Sequence, residues 1–521
     1  MVTPVALLGG FAWWAAALEI TILYALGAVA CWWMLTRVFG ANPRIIAPLT
    51  FYLFSPLLLP AITWWAAAIN LVAVQAPLFV VIGSHVQYLR TRERRWLVLI
   101  ALMLLVVSGV YAKGLVVAAV LGLFTACYAL DAGGPARRIW VAVRRWWPVW
   151  CVYTVIGAAT GAAYLMQTRT GSGPQDQASA SDLFENLVLR NLVPALVGGP
   201  WTWIDVGGFP RQLADASDLG VALALTAVVG AFAFAVQRWH NAWLPLLFLA
   251  PAFIATFLAM SSLRTASFPF LALEPRYWAD TLPYLVLAFG VTIMAIPGFP
   301  EVRRRRSPEA TSVRPPLVLA IGAAYIVGSF TTTVSYVEPW HTDYPARLFV
   351  TTALAEAADA RAELVVANDP APGAVMSSFL FPSNTPNYLF APSPGQVRGV
   401  DGGVDLDVLD PFGRPVPALA SADMELDVSG EKCFVGSGRL MLESATLDYP
   451  FWATVSASFD ASTTVHVTAG TARHEFEVPS GRHRLTFRTV GAFDRVWLVS
   501  EDESTTICPE SVRVGAQLEV P

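Results

Sequence analysis

The sequence is poor in charge, and this excludes several classes of protein at once. Asp, Glu, Lys and Arg make up 14% of its 521 residues, whereas hydrophobic residues make up 55%. Soluble proteins carry about 25% charged residues. The formal net charge of -4 is small, so the composition does not favour a nucleic-acid partner. The sequence therefore predicts an integral membrane protein in contact with membrane lipids.

Cysteine, histidine and nucleotide-binding motifs are scarce too. The chain has five cysteines and six histidines, with no CxxC, no His pair at ligand spacing, and no P-loop or GxGxxG stretch. We predict no metal site, no hydrolase triad and no certain cofactor, and leave a divalent cation open. Cys31, Cys127 and Cys151 fall in or beside apolar runs, where cysteine acts as a small apolar side chain.

Long apolar runs are what the sequence has in abundance. They indicate about ten membrane helices in residues 1–336, since about 20 residues cross a hydrocarbon core of about 30 Å. The runs lie at roughly 17–36, 45–59, 60–83, 96–112, 114–130, 146–167, 219–236, 242–260, 277–296 and 316–336. Pro48, Pro56 and Pro60 make the second run irregular or re-entrant.

Arginines set the predicted orientation. Arg303 to Arg306 stand just before the last run, and every second loop upstream is basic. Because such residues stay on the cytoplasmic side, we predict a multi-pass plasma-membrane protein whose amino terminus and whose residues after Val337 lie outside the cytoplasm. In the outer loop 168–218, residues 183–197 predict a helix lying along the membrane. The turn 198–203 carries two tryptophans suited to the headgroup level.

Residues 337–521 follow a different pattern. Residues 345–360 predict an amphipathic helix and residues 362–367 a buried strand. From about 420, short alternating segments lie between Gly, Asp and Ser turns, at 431–436, 451–459, 463–469, 473–478, 482–490, 494–500 and 511–519. The pattern predicts an extracytoplasmic α/β-to-β-sandwich domain, jelly-roll-like in its sandwich part.

Two cysteines accompany this domain. Cys433 and Cys508 are the only cysteines after residue 337. A disulfide is permitted outside the cytoplasm, so we predict a Cys433–Cys508 bond.

Two carboxylates stand at the predicted outer ends of membrane runs. Glu19 lies about one turn into the first run, and Asp280 lies near the start of the ninth. Ionisable groups in such places are functional candidates, here as a catalytic base or a sugar contact. The alternative is a carboxylate that is stabilised at a helix N-terminus, and this fits Asp280.

Five cations fall on the predicted outer side, against the usual charge bias. They are Lys113, Arg190, Arg211, Arg264 and Arg276. Arginine suits bidentate phosphate binding and lysine a point contact, so a lipid-linked phosphate would explain them together. The alternative is ordinary headgroup contact, or pairing with Asp205, Asp215 or Glu274.

Trp452 is the candidate carbohydrate contact. In the predicted strand 451–459 it shares the more polar face with Thr454, Ser456 and Ser458, and an indole there can stack on a sugar ring. The alternative is that Trp452 packs beneath a loop.

Three stretches resemble the polytopic GT-C membrane glycosyltransferases, which use polyprenyl-phosphate sugars as donors. They are Phe54-Ser55-Pro56 leading to Trp64-Trp65-Ala66-Ala67-Ala68, Tyr111-Ala112-Lys113-Gly114-Leu115, and Pro275-Arg276-Tyr277. The resemblance covers roughly residues 17–336. The C-terminal domain is similar in placement to the carbohydrate-binding modules of some actinobacterial cell-wall arabinosyltransferases.

The resemblance implies a cell-envelope enzyme that transfers a sugar from a polyprenyl phosphate to an extracytoplasmic glycan or lipid. Lys113 and Arg276 match motif positions and are expected to contact the donor phosphate, with Arg264 and Arg211 as further candidates. The family's catalytic carboxylate follows its first helix, and both are expected to be missing from this chain. No residue therefore inherits the catalytic role by motif, and Asp280 and Glu19 remain candidates by position. The rival is a non-catalytic, membrane-anchored protein that binds envelope polysaccharide or acts as a scaffold. A transporter fits less well, because matched pairs of broken helices are missing.

Overall fold

A computed structural model describes most of the chain. The described residues are 13–110, 114, 116–130, 134–167, 179–206, 209–263, 269–300, 315–342, 345–427, 433–442 and 444–519. The chain divides into two compact units. The helical unit comprises Trp13–Val206 and Pro210–Pro339, and the strand-rich unit is formed mainly by Trp340–Pro521.

The helical unit is built from α-helices of very different length. They are α1 (Trp13–Phe39), α2 (Ile46–Leu53), α3 (Leu59–Thr63), α4 (Gln75–Thr91), α5 (Arg94–Val110), α6 (Val116–Tyr128), α7 (Pro135–Arg145), α8 (Trp147–Gln167), α9 (Ala180–Phe184), α10 (Asp218–Arg238), α11 (Leu244–Leu263), α12 (Leu282–Ile293) and α13 (Pro315–Thr342). Short π and 3-10 segments extend several of them, and strands β1 (Trp203–Val206) and β2 (Phe209–Ala214) form a small ribbon.

Six helical segments of the described chain are long and apolar enough to cross a membrane. They are Trp14–Phe39, Pro43–Thr63, Trp65–Thr91, Asp218–Arg238, Leu244–Ser261 and Pro316–Glu338. Each has at least 18 residues, close to the length that a bilayer core requires. The chain is thus a multi-pass membrane protein by the length and composition of its helices.

Two local predictions need correction. The second apolar run is irregular as predicted, with a 3-10 turn at Pro56–Leu58, but its boundary with the third run, predicted at about residues 59–60, falls at Trp64. Trp64 has extended backbone angles (φ -110°, ψ 107°), and Pro60 lies in the first turn of α3, where its missing N–H costs nothing. The basic stretch 135–145, predicted as a loop, is helix α7, because its arginines alternate with an apolar face at helical spacing.

Helices α1 and α4 pack closely along their length. A Cβ on Gly83 of α4 would lie 2.5 Å from the Trp33 ring of α1, so only glycine allows this approach. At the end of α1, Arg90 donates to the carbonyls of Arg37 (2.6 Å) and Val38 (2.7 Å). These carbonyls lack partners within the helix, and a cation is favourable there.

The tryptophan turn after residue 197 docks on α13. Thr332 of α13 donates to the Gly198 carbonyl (2.7 Å) and accepts from the Trp201 N–H (3.1 Å). Trp203 donates its indole N–H to the Thr332 carbonyl (3.1 Å), and its ring meets Tyr336 edge-on. The sequence predicted that these tryptophans lie at the headgroup level. In the structure both bind a helix of their own unit.

The strand-rich unit begins with a small α/β arrangement. Helix α14 (Pro345–Ala360) packs on a four-stranded sheet in the order β4 (Val397–Val400), β3 (Leu364–Ala367), β6 (Asp407–Leu409) and β7 (Pro415–Pro417). Strand β3 is parallel to β4 and β6, whereas β6 and β7 are antiparallel. The predicted helix and strand are confirmed here.

The rest of this unit is antiparallel. Its strands are β5 (Gly402–Val404), β8 (Leu419–Ala420), β9 (Met424–Asp427), β10 (Phe434–Val435), β11 (Ser437–Met441), β12 (Trp452–Phe459), β13 (Thr463–Ala469), β14 (Ala472–Val478), β15 (Gly481–Arg488), β16 (Arg495–Ser500), β17 (Thr506–Gly515) and β18 (Leu518–Glu519). One sheet runs β10-β17-β12-β15-β5, with β9 also on β17, and another runs β11-β16-β13-β14.

Residues from both antiparallel sheets meet in one hydrophobic cluster. It includes Val455 of β12 and Leu485 of β15 from the first sheet, and Val467 of β13 and Leu498 of β16 from the second. All four side chains are fully buried. Cys433 and Cys508 form the predicted disulfide at the edge of the first sheet.

Candidate functional site

Two adjacent tryptophans at the helix break each bind a charged side chain. The indole N–H of Trp65 donates to Glu19 of α1 at 2.8 Å. The guanidinium of Arg276 lies over the Trp64 ring, 4.2 Å from its centroid. The extended backbone at Trp64 separates α3 from the following turn, Trp65–Ala67. The break therefore brings Glu19 and Arg276, which are distant in sequence, to neighbouring residues.

Arg276 is also ion-paired. Its Nε lies 2.6 Å from Glu274 Oε1, and the side chains of Arg276 and Glu274 are 13% and 2% exposed. Pairing with Glu274 was one of the alternatives that the sequence left open. A buried carboxylate requires a compensating charge. Arg276 therefore has a structural role in addition to any contact with a ligand.

Arg276 and Asp280 lie on one 3-10 helix, Pro275–Thr281, which runs into α12. This helix is held from two sides. Trp278 donates its indole N–H to the Leu187 carbonyl (2.9 Å), and Gln75 donates to the Ala279 carbonyl (3.0 Å). Asp280 is thus fixed two residues before α12 begins, where a carboxylate also interacts favourably with the helix dipole.

Asp280 lines a small cavity in the helical unit. The lining comprises Leu78, Val107, Gly114, Val116, Val117, Ala252, Asp280 and Tyr284. Asp280 itself is 8% exposed. Apart from Asp280 and Tyr284, the residues that line the cavity are apolar or glycine. Gly114 belongs to the second stretch that carries the family resemblance, and it lines the same cavity as Asp280.

Gln75 was missed by the sequence analysis. It is fully buried, and its Nε2 binds the carbonyls of Leu71 and Ala279. Among the described residues its Oε1 accepts no hydrogen bond. A buried amide oxygen without a donor is uncommon. A lone glutamine inside an apolar run was the available signal.

The other predicted cations cannot be placed at this site. Lys113 and Arg264 lie outside the described residues, and for Arg211 the structure describes only the backbone, in β2. Arg190 pairs with Glu185 and Asp218, both at 2.9 Å, which matches the pairing alternative with different partners. Within the described residues, no group of three or more His, Cys, Asp and Glu side chains is placed to hold a metal ion.

His85 is a second buried polar centre. Thr125 donates its hydroxyl to the Leu121 carbonyl (2.7 Å), so it accepts from His85 Nε2 (2.9 Å). The Tyr153 hydroxyl is hydrogen-bonded to Nδ1 (2.9 Å), so both ring nitrogens have partners. These bonds join α4, α6 and α8.

Trp452 packs inside the strand-rich unit. It is 2% exposed, and its indole N–H donates to Asp369 at 2.8 Å. The face of β12 that looks polar in sequence is covered by a second cluster, which includes Ala367, Leu406 and Leu518. Burial agrees with the packing alternative and leaves no ring face for a sugar. Burial also raises the pKa of Asp369, and the indole hydrogen bond opposes this in part.

Trp497 on β16 is the exposed indole of this unit that sequence reasoning missed. It is 40% exposed. Its neighbours across the strands are Arg439 of β11 and Thr468 of β13, and Thr468 is paired in turn with Arg473 of β14. Four strands at about 4.8 Å spacing make this row about 14 Å long. The alternation of Val496 and Leu498 with Trp497 and Val499 was the signal.

No protein-family model matches the chain, and a search of the curated proteins returns no match. The function therefore has to be argued from the site alone.

Proposed function

We propose that the chain is a cell-envelope membrane protein of the glycosyltransferase type. It transfers a sugar from a polyprenyl-phosphate donor to an extracytoplasmic glycan or lipid acceptor. The observation that carries the proposal is the meeting of Glu19, Trp64, Trp65 and Arg276 at the helix break, with Asp280 one turn beyond Arg276.

The chemistry of these groups suits such a transfer. Arg276 presents a guanidinium between the Trp64 indole and the Glu274 carboxylate. A donor phosphate can bind this guanidinium in place of the carboxylate or together with it. Asp280, in an apolar cavity, is the candidate base that removes the proton from the acceptor hydroxyl. Glu19 is the second carboxylate candidate. Lys113, Arg264 and Arg211 remain candidates for further phosphate contacts.

The finer architecture belongs to the same proposal. About ten membrane helices are supported by four helices, α5, α6, α8 and α12, in addition to the six long spans. A β-sandwich, with its two sheets face to face, is supported by the hydrophobic cluster that they share. An extracytoplasmic position of this unit is supported by its disulfide.

Sugar transfer by the full-length protein tests the proposal. Membranes that contain the protein are given a labelled polyprenyl-phosphate sugar, and incorporation into envelope glycan is measured. The variant Asp280→Asn keeps the shape of the side chain and removes the base, so transfer should fall about 100-fold or more. Glu93→Gln, an exposed carboxylate beyond α4, is the matched control and should keep full activity. If Asp280→Asn and Glu19→Gln both transfer like wild type, neither carboxylate is the base.

A non-catalytic glycan-binding protein is the second candidate, and the Trp497 row favours it. The exposed Trp497 indole stands in one row with two arginines and a threonine hydroxyl. Such a row offers stacking and hydrogen bonds to a sugar chain. The protein would then bind envelope polysaccharide without any sugar transfer. Trp497→Ala should weaken sedimentation of the full-length protein with cell-wall polysaccharide roughly tenfold. Tyr388→Ala, another exposed aromatic of this unit, should leave it unchanged.

A further inference from the structure

Helix α7 and the end of α4 meet at a single buried indole. Trp146 lies between α7 and α8, is 2% exposed, and donates its indole N–H to the Leu89 carbonyl of α4 at 3.3 Å. This bond ties together two segments that are separated by 57 residues. The loop after α4 and the last turn of α7 are therefore fixed beside each other.

Two guanidinium groups are held against this one ring. Arg145 lies 4.9 Å and Arg92 lies 5.8 Å from the ring centroid. Arg92 adopts a left-handed conformation (φ 58°) and ends α4 with an N–H bond to the Tyr88 carbonyl. In the described part of the chain neither guanidinium forms an ion pair. The two positive charges thus share one site without a carboxylate.

The ends of the helices compensate this charge only in part. Arg92 and Arg145 stand at the C-termini of α4 and α7, and each C-terminus carries about half a negative charge. About one positive charge remains. The surroundings increase it, because the residues 86–99 and 134–150 contain eight arginines and only one acidic residue, Glu93. Glu93 is paired with Arg95.

The exposed face of α7 indicates which kind of anion suits this positive charge. Ile139, Trp140 and Val143 are 48%, 58% and 50% exposed, although α7 is otherwise rich in arginine. Helices with one apolar face and one basic face lie in the membrane interface, with the apolar face at the headgroup and acyl boundary. The phosphates of lipids are then at the level of the arginines.

We propose that Arg92, Arg145 and Trp146 form a binding site for the headgroup phosphate of an anionic phospholipid. The guanidinium groups bind the phosphate oxygens, and the apolar face of α7 contacts the acyl chains. The site is independent of the sugar-transfer proposal, because it uses none of those residues. It makes anionic lipid a specific ligand of this protein and not only its solvent.

Lipid binding by the full-length protein in detergent tests this site. The purified protein is titrated with phosphatidylglycerol and, in parallel, with phosphatidylcholine, and bound lipid is counted by native mass spectrometry. Wild type should prefer phosphatidylglycerol. The double variant Arg92→Gln/Arg145→Gln should lose about 25-fold of this preference, since each arginine near an anionic lipid contributes about fivefold. If the double variant does not accumulate, Arg92→Gln alone should lose about fivefold.

A matched control removes the same charge elsewhere. Arg94→Gln/Arg144→Gln changes two exposed arginines that do not face Trp146, because Arg144 lies over Trp140 instead. This variant should lose less than threefold. An equal loss in both double variants would mean general surface attraction and would overturn the proposal. Inorganic phosphate at 10-fold excess should not displace the lipid; displacement would identify a site for soluble phosphate and also overturn it.

Discussion

The guanidinium of Arg276 lies between the Glu274 carboxylate and the Trp64 ring, with only 13% of the arginine side chain exposed. In such surroundings the attraction between the charges is strong, but so is the cost of leaving either of them alone. This bears on any test by mutation. A lost activity in Arg276→Ala would mix the loss of a ligand contact with the loss of the fold.

We therefore predict the stability of this pair separately. Arg276→Ala should lower the stability of the purified protein by about 3–5 kcal/mol, because the buried Glu274 then loses this ion pair. Arg276→Gln/Glu274→Gln removes both charges and should recover a large part of this loss. Thermal unfolding in detergent measures both. A double variant no more stable than Arg276→Ala would mean that the buried carboxylate is not the cause.

Asp369 predicts a dependence of stability on pH. Burial raises its pKa above the usual value of 3.8, so the folded state binds a proton more tightly than the unfolded state does. Its contribution is then most favourable below the unfolded pKa, and it is lost as the pH rises through the raised value. Asp369→Asn should remove this contribution to the loss of stability with rising pH, while its amide oxygen still accepts a hydrogen bond from Trp452.

The measurement is the melting temperature of wild type and Asp369→Asn from pH 4 to 7. Other carboxylates titrate in the same pH range and contribute to both curves. The difference between the two curves therefore isolates the contribution of Asp369. The exposed Asp359→Asn serves as the control and should run parallel to wild type. Parallel curves for Asp369→Asn as well would contradict the assignment.

At the scale of elements, the turn at Gly198 is tightly constrained by its contact with α13. Gly198 has φ +97°, and a Cβ there would lie 2.9 Å from both the Ser329 nitrogen and the Tyr325 carbonyl oxygen of α13. Neither atom can move without bending the helix. Glycine at 198 is therefore required both by conformation and by space.

Gly198→Ala should destabilise the protein by at least about 2 kcal/mol, from the strain of a positive φ and the clash with α13. The control is Gly230→Ala. Gly230 lies in α10 with no atom within 4 Å of the added Cβ, so alanine there should be neutral or should stabilise by up to about 1 kcal/mol. Equal melting temperatures for the two variants would mean that the turn is not docked on α13.

The disulfide makes a further prediction at this scale. It links residues that are 75 positions apart, and closing so long a loop restricts the unfolded chain strongly. Cys433→Ser/Cys508→Ser should lower the stability of the strand-rich unit by about 2–5 kcal/mol. Chemical denaturation with and without a reducing agent measures this. A reducing agent that has no effect on wild type would argue against the bond.

How far the sequence predicts these elements depends on how local their cause is. The strand 463–469 is predicted with the boundaries that it has, Thr463–Ala469, because alternating side chains and flanking turns are local features. The burial of Trp452, in contrast, is not predicted from the sequence. Its apparently polar face is buried by β3, β6 and β18, and no local pattern tells which distant strands cover a sheet.

The candidate site shows the same division. Glu19, Arg276 and Asp280 could be selected by residue type and position, since charges at the ends of apolar runs are unusual. Their grouping could not, because the Glu19–Trp65 bond joins helices 46 residues apart, and neighbours among helices are decided by packing. Gln75 could not be selected from the sequence, because its role depends on a hydrogen bond to the distant backbone carbonyl of Ala279.

At the scale of the whole molecule, the proposals depend on the orientation of the membrane helices. We propose from the positive-inside pattern that the arginine-rich segments, the end of α4 and α7 among them, lie on the cytoplasmic side. The proposal places the strand-rich unit and its disulfide on the other side. Under this proposal the Glu19–Arg276–Asp280 site opens outward, as a transferase for envelope glycans requires.

Labelling of single cysteines in intact cells tests this orientation most directly. In a Cys151→Ala background, one cysteine replaces Leu447 of the strand-rich unit, which is 77% exposed, and another replaces Glu93 beyond α4. A membrane-impermeant maleimide should label Leu447→Cys in intact cells and Glu93→Cys only after permeabilisation. The reverse pattern would contradict the orientation and the outward-facing site together.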